Sequence, residues 1–169
     1  MSNFFKLVLG VFMFFSSSAK ALELNQPAPA FKAASTSGQT VSLTDFAGKW
    51  VVLYFYPKAF TPGCTAESCA LRDAFAEIQK LNAVILGVSL DTLETQNKFK
   101  AEHKMQFDLL SDESKTISKD YNTLGLLGLY SERKTFIIDP KGILRFVFES
   151  VTSKTHDQEV LSKLKELQK

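Results

Sequence analysis

The sequence is poor in the residues from which several kinds of binding site are built. It contains two cysteines, two histidines and one tryptophan among 169 residues. His103 and His156 are far apart along the chain, and a zinc site needs more ligands than these two side chains supply. The eight glycines form no phosphate-binding loop and no nucleotide fingerprint. We therefore expect no metal ion and no nucleotide cofactor.

The charge pattern lacks a basic surface for nucleic acid. The chain has 20 lysines and arginines against 18 acidic residues, a net charge of +2. Lys6 and Lys20 lie in the first 21 residues, which contain no acid, so residues 22–169 carry 18 charges of each sign. Nothing in that part attracts nucleic acid or an anionic lipid surface.

The first 21 residues have the layout of a secretory signal peptide. Lys6 is followed by an apolar stretch at 7–15 and by small polar residues that end in Ala19-Lys20-Ala21. The apolar stretch is too short to cross a bilayer, which needs about 20 residues. We expect cleavage after Ala19 or Ala21 and export, most simply to a bacterial periplasm, with no stable membrane association afterwards. An uncleaved interfacial anchor is the alternative.

After this leader, short apolar runs alternate with helical patterns. Continuous apolar runs at 51–56 and 83–89 predict buried strands, and 107–110 predicts a shorter one. Hairpins are predicted at 33–42 and 135–149, because each pair of runs flanks a turn sequence. Pro27 and Pro29 predict an extended surface segment over 22–31. Helices are predicted from the cysteines to about Leu81, from Asp91 as N-cap to about His103, and at 112–121 and 156–167.

The order of these elements predicts an α/β fold. Strands that alternate with helices imply a parallel core, and the hairpins add antiparallel strands. This order fits a thioredoxin-like fold with an N-terminal β-hairpin and an inserted helix. No repeat or linker interrupts residues 22–169, which we expect to form one domain.

Both cysteines stand where a strand gives way to a helix. Pro57 stops the strand, and Cys64 and Cys69 occupy the first turns of the helix that follows. The first turn of a helix presents free N–H groups and positive partial charge, which favour the reactive thiolate form of a cysteine.

The spacing of Cys64 and Cys69 bears on what bond they can form. Residues i and i+5 of a helix lie about 7.5 Å apart along its axis. The α-carbons of a disulfide usually lie about 4.4–6.8 Å apart. A bond between them needs local unwinding, which suits a redox switch better than a structural staple. A structural disulfide in an exported domain is the alternative.

The same stretch resembles a known family. Pro57, Thr61 and Cys64 follow the Pro-x-x-x-Thr-x-x-Cys pattern of peroxiredoxins, and Cys69 is placed as in the Q-type, or bacterioferritin comigratory protein, branch. The resemblance extends to the segments 109–112 and 133–139 and covers nearly all of the chain after the leader. It implies a thiol-dependent peroxidase that reduces hydrogen peroxide and organic hydroperoxides.

The resemblance also implies a role for each site residue. Cys64 becomes a sulfenic acid, Cys69 resolves it as an intramolecular disulfide, and a thioredoxin-like dithiol donor then reduces the bond. Thr61 contacts the peroxide and the thiolate, Pro57 holds the loop over the thiol, and Arg133 favours the thiolate. We expect a monomer. The physiological donor and the preferred peroxide stay open.

Several readings compete with these expectations. A thioredoxin-type disulfide oxidoreductase needs Cys-x-x-Cys, which is absent, and no partner motif supports a cysteine–histidine protease. A binding domain held by one disulfide is the non-enzymatic alternative. Glu67 either ties the cysteine helix to its surroundings or only suits the helix dipole, and Arg133 is alternatively a solvated loop residue. Four apolar residues either line an apolar mouth or belong to the core: Phe60, Leu126, Leu127 and Leu129.

Overall fold

A computed structural model describes residues 22–169. The predicted signal peptide at 1–21 lies outside the described residues. Within the described part, no helix combines the length and the apolar character needed to cross a membrane.

One seven-stranded sheet organises the described chain. Its strands are β1 (Lys32–Ser35), β2 (Thr40–Ser42), β3 (Trp50–Phe55), β4 (Ala83–Ser89), β5 (Asp108–Ser111), β6 (Lys134–Ile138) and β7 (Leu144–Phe148). They lie in the order β2-β1-β5-β4-β3-β6-β7. The central strand β3 pairs parallel with β4 and antiparallel with β6. The predicted thioredoxin-like fold with an N-terminal hairpin is confirmed.

Within residues 22–169, five α-helices cover the sheet: α1 (Pro62–Asp73), α2 (Phe75–Lys80), α3 (Leu93–Glu102), α4 (Thr116–Asp120) and α5 (His156–Leu167). The single helix predicted to about Leu81 is instead two helices. Ala74 closes α1 with a ψ of −1°, and Leu71 before the break and Ile78 after it belong to the same core. α4 begins at Thr116 rather than at Asp112, because the Asp112 carboxylate caps its first N–H groups.

The predicted N-cap of α3 is wrong by one residue. Thr92 is the N-cap, and its side chain accepts a hydrogen bond from the Thr95 N–H at 3.2 Å. The Asp91 carboxylate instead accepts the backbone N–H of Ala59 at 2.8 Å. Asp91 therefore fixes the loop that leads from β3 to α1.

The sheet separates two cores. Side chains along a strand point alternately to opposite faces, and both faces of β3 are buried. One face, with Val52, Tyr54 and Tyr56, packs against α1, α2, α3 and α5. The other face, with Val51, Leu53 and Phe55, packs against the N-terminal segment and α4.

The segment 22–31 lies largely at the surface, as its prolines predict, with residues 23–27 exposed, but two of its side chains are buried. Ala28 and Phe31 are buried in the second core. The Asn25 N–H donates to the Leu144 carbonyl at 2.7 Å. Backbone hydrogen bonds to the first residue of β7 hold the segment in place. Burial of the large apolar side chain of Phe31 adds to its stability.

Candidate active site

The loop from β3 to α1 carries the first group of predicted site residues. Pro57 follows the buried end of the strand and is half-buried. Having no N–H, it ends the strand's pairing. Phe60 turns the chain sharply with a φ of +64°, and its ring packs against Phe99 with centroids 5.1 Å apart. Thr61 then precedes Pro62, which suits the first helical position.

Cys64 lies in the first turn of α1 and is fully buried as a free thiol. Arg133 Nη2 donates a hydrogen bond to its Sγ at 3.2 Å. The helix N-terminus and the guanidinium both place positive charge at the sulfur.

Arg133 reaches Cys64 across 69 residues of sequence because of the sheet. β6 runs antiparallel to β3, with Lys134 opposite Phe55, the last residue of β3. Arg133 therefore lies next to the start of the loop that follows β3. Burial alone would lower the pKa of Arg133, but the neighbouring Glu67 and Cys64 raise it above its usual range. The guanidinium is therefore charged, and Arg133 is not a solvated loop residue.

Glu67 ties α1 to Arg133. Its side chain is fully buried and pairs with Arg133 Nη1, while its other oxygen has no partner among residues 22–169. Burial raises the pKa of Glu67 to about 7, although the charge of Arg133 opposes the shift. One guanidinium thus bridges the buried carboxyl and the reactive sulfur.

Thr61 is the N-cap residue of α1, and its hydroxyl does not bond to the thiol. Its hydroxyl donates to the Lys58 carbonyl at 2.9 Å, and no hydrogen bond from it to Cys64 occurs within residues 22–169. The hydroxyl oxygen still has lone pairs with which to accept a hydrogen bond.

Cys69 lies further along α1 and is a half-buried free thiol. It is not bonded to Cys64, and the intact helix keeps the two about 7.5 Å apart along its axis. Between them, Ser68 is buried and its Oγ lies 3.0 Å from the Tyr54 hydroxyl. Burial raises the pKa of Tyr54 well above its usual range, so the phenol behind the site stays neutral.

His156 and four exposed apolar residues complete the account of the predicted side chains. His156 is fully buried, and its Nε2 lies 2.8 Å from Thr135 Oγ1. Among residues 22–169, no group of His, Cys, Asp or Glu could hold a metal ion. The core reading is wrong for four apolar residues, which are exposed: Phe60, Leu126, Leu127 and Leu129.

Comparisons with known proteins point in one direction. The profile described as AhpC/TSA family matches residues 24–147. Peroxiredoxin Bcp of Bacillus subtilis is 40% identical over 152 residues, which cover 86% of this chain and 97% of that protein. Peroxiredoxin Bcp of Escherichia coli is 36% identical over 151 residues, which cover 86% of this chain and 97% of that protein. The bacterioferritin comigratory protein of Xanthomonas campestris, whose structures concern alkyl peroxide reduction, has a TM-score of 0.78 at 32% identity, covering 82% of this chain and 92% of that one.

Proposed function

Since the chain belongs to the AhpC/TSA family, in its peroxiredoxin Q/Bcp branch, we propose that Cys64 is the peroxidatic residue of this thiol-dependent peroxidase. One observation carries the assignment: the Cys64 sulfur lies 3.2 Å from Arg133 Nη2 in the first turn of α1. Cys69, the other cysteine, is further along the helix, and among residues 22–169 no arginine or lysine donates a hydrogen bond to it.

In the first step the Cys64 thiolate attacks one oxygen of the peroxide. A sulfur–oxygen bond forms, the O–O bond breaks, and Cys64 becomes a sulfenic acid. The other oxygen leaves as hydroxide or alkoxide and takes a proton from water. Arg133 favours the starting thiolate, and its charge also suits the negative charge that develops on the departing oxygen. Pro57 and the loop that follows limit the access of water.

We assign the second step to Cys69. Its thiol condenses with the sulfenic acid, and water leaves as the Cys64–Cys69 disulfide forms. An external dithiol of thioredoxin type then reduces this bond by thiol–disulfide exchange. Because both cysteines lie on one helix, the cycle needs a single copy of the chain, and we infer that the protein acts as a monomer. Alkyl peroxide reduction, described for the Xanthomonas relative, extends to this chain under the same proposal.

Two variants test the site. Cys64→Ser should lose peroxide reduction completely, measured as NADPH-coupled turnover with a thioredoxin system. Cys69→Ser should consume one equivalent of peroxide but fail to turn over. Intact mass after one equivalent should show the loss of two hydrogens in the wild type, on a monomer in non-reducing electrophoresis. Substantial turnover by Cys64→Ser, or covalent dimers of the wild type, would contradict the assignment.

We also propose that residues 1–21 direct export and are removed. The proposal is supported by Lys6, by the apolar stretch at 7–15 and by the Ala19-Lys20-Ala21 ending. N-terminal sequencing of protein isolated from its native cells should begin near Leu22, in an extracytoplasmic fraction. An intact Met1 or Ser2 in a cytosolic fraction would rule export out.

A further inference from the structure

The segment 149–155, which joins β7 to α5, reaches the first turn of α1. A β-carbon placed on Gly63 would stand 3.8 Å from Ser153 Oγ and 3.3 Å from Arg133 Nη2. The same Nη2 donates to Cys64 Sγ. The Ser153 hydroxyl and the guanidinium that holds the reactive sulfur therefore both border the narrow gap beside Gly63 that a side chain there would fill.

Both ends of this segment are fixed to β6 beside Arg133. At one end, Lys134 Nζ pairs with the Glu149 carboxylate at 2.8 Å. At the other end, the buried His156 places its Nε2 2.8 Å from Thr135 Oγ1. Lys134 and Thr135 directly follow Arg133 in the chain. The position of the segment relative to the guanidinium is thus set by the sheet.

Ser153 offers a hydroxyl proton that the site otherwise lacks. Its side chain is half-buried, and its hydroxyl has no hydrogen-bond partner among the residues that the structure describes. A serine hydroxyl can donate one hydrogen bond and accept others. The Thr61 hydroxyl, by contrast, already donates its proton to the Lys58 carbonyl. Of these two hydroxyls, the one on Ser153 can donate to a peroxide without breaking an existing bond.

We propose that Ser153 is a further substrate-binding residue, whose hydroxyl donates a hydrogen bond to the departing oxygen of the peroxide. The inference rests on the proposed role of Cys64. As the sulfur–oxygen bond forms and the O–O bond breaks, the departing oxygen takes the bonding electron pair. A donor at that oxygen acts where negative charge develops, so it accelerates the step more than it strengthens ground-state binding.

The test compares Ser153→Ala with Ser153→Thr, which keeps a hydroxyl. We expect the single-turnover reaction of reduced Ser153→Ala with hydrogen peroxide and with tert-butyl hydroperoxide to slow about three- to tenfold, as for the loss of one hydrogen bond. Ser153→Thr should retain most of the rate. Thr152→Ala, at an exposed neighbour in the same segment, is the matched control and should react like the wild type.

Alkylation of Cys64 by iodoacetamide separates a substrate contact from a structural role. The reaction uses the same thiolate but has no departing oxygen, so its pH profile should be identical in Ser153→Ala and the wild type. Gly63→Ala provides a second variant, because its methyl group enters the gap. Gly63→Ala should slow the single-turnover reaction with tert-butyl hydroperoxide more than the reaction with hydrogen peroxide.

Each outcome bears on a different claim. Wild-type peroxide rates in Ser153→Ala would overturn the proposed contact, and the function would stand as long as Cys64→Ser is inactive. An equal loss of alkylation and peroxide rates in Ser153→Ala would also overturn it, because Ser153 would then act on the thiol or the loop. A wild-type protein that does not react with peroxide at all would refute the function itself.

Discussion

The disulfide between Cys64 and Cys69 is expected to destabilise the folded protein. In the reduced structure the two residues lie on one intact helix, about 7.5 Å apart along its axis, and a disulfide needs α-carbons about 4.4–6.8 Å apart. α1 must therefore open. Its N-terminal turn is the weaker side, because the N–H groups of the first turn have no partner within the helix.

The size of the effect follows from what opens. If residues 61–64 leave the helix, their carbonyls lose about four backbone hydrogen bonds, beginning with the one from Thr65 N–H to Thr61 at 2.9 Å. At about 1 kcal/mol each, this costs about 4 kcal/mol, and Cys64 also leaves its buried position. Closing a loop of about six residues constrains the unfolded chain by only about 2 kcal/mol. The oxidised protein should be less stable by about 2 kcal/mol.

Urea unfolding measures this difference directly. Protein oxidised with one equivalent of peroxide is compared with protein kept reduced by a phosphine. The free energy of unfolding in urea should fall by about 2 kcal/mol, and in a separate thermal experiment the unfolding midpoint should fall by about 4–8 °C. Cys69→Ser, which cannot form the bond, is the control. Amide exchange should rise in residues 62–66 of the oxidised form. An oxidised form about 2 kcal/mol more stable than the reduced one would refute the reasoning, since the helix would then accommodate the bond intact.

Three further predictions concern single residues. Arg133→Met should slow both alkylation and peroxide reaction of Cys64 at pH 7 by about tenfold or more, because the cation at 3.2 Å is lost; stopped-flow rates equal to wild type would exclude its role. Burial raises the pKa of Glu67 to about 7. Between about pH 4.5 and 7 the folded protein therefore holds a proton that the unfolded chain has released. The free energy of unfolding falls as the pH rises through that window. Urea unfolding at pH 5 and pH 8 should show this fall, by up to about 3 kcal/mol, in the wild type but not in Glu67→Gln; the same fall in both proteins would mean another group titrates. Cys69→Ser should accumulate sulfinic acid at Cys64 under excess peroxide, and its absence from the intact mass would argue against Cys69 as the resolving residue.

The elements that sequence predicts best are those whose signal is local. Continuous apolar runs locate β3 and β4, and the helical spacing of Val160 and Leu164 locates α5. The role of Arg133 beside Cys64 follows from the family pattern. The strands and the helix are predicted from short-range patterns, and the position of Arg133 is predicted from the family motif.

The contacts that the sequence does not predict join residues that are distant in the chain. The Asp91 carboxylate holds Ala59, 32 residues away, and a local capping pattern cannot reveal that partner. His156 has polar sequence neighbours, but Thr135 and the ring of Phe148 enclose it. Ser153 belongs to no motif, and only the path of the segment 149–155 brings it to Gly63. Leu127 and its apolar neighbours are exposed, because an apolar side chain is not necessarily buried.

The strand order has a consequence for how the chain matures during synthesis. β3 lies between β4, which follows it closely in sequence, and β6, which begins only at Lys134. A growing chain can pair β3 with β4 early, but it cannot place Arg133 against Cys64 until β6 has been synthesised, at residues 134–138 of 169. Such long-range pairing is the slow part of folding. The thiol therefore lacks its cation until β6 has paired with β3, and the onset of rapid peroxide reaction reports that pairing.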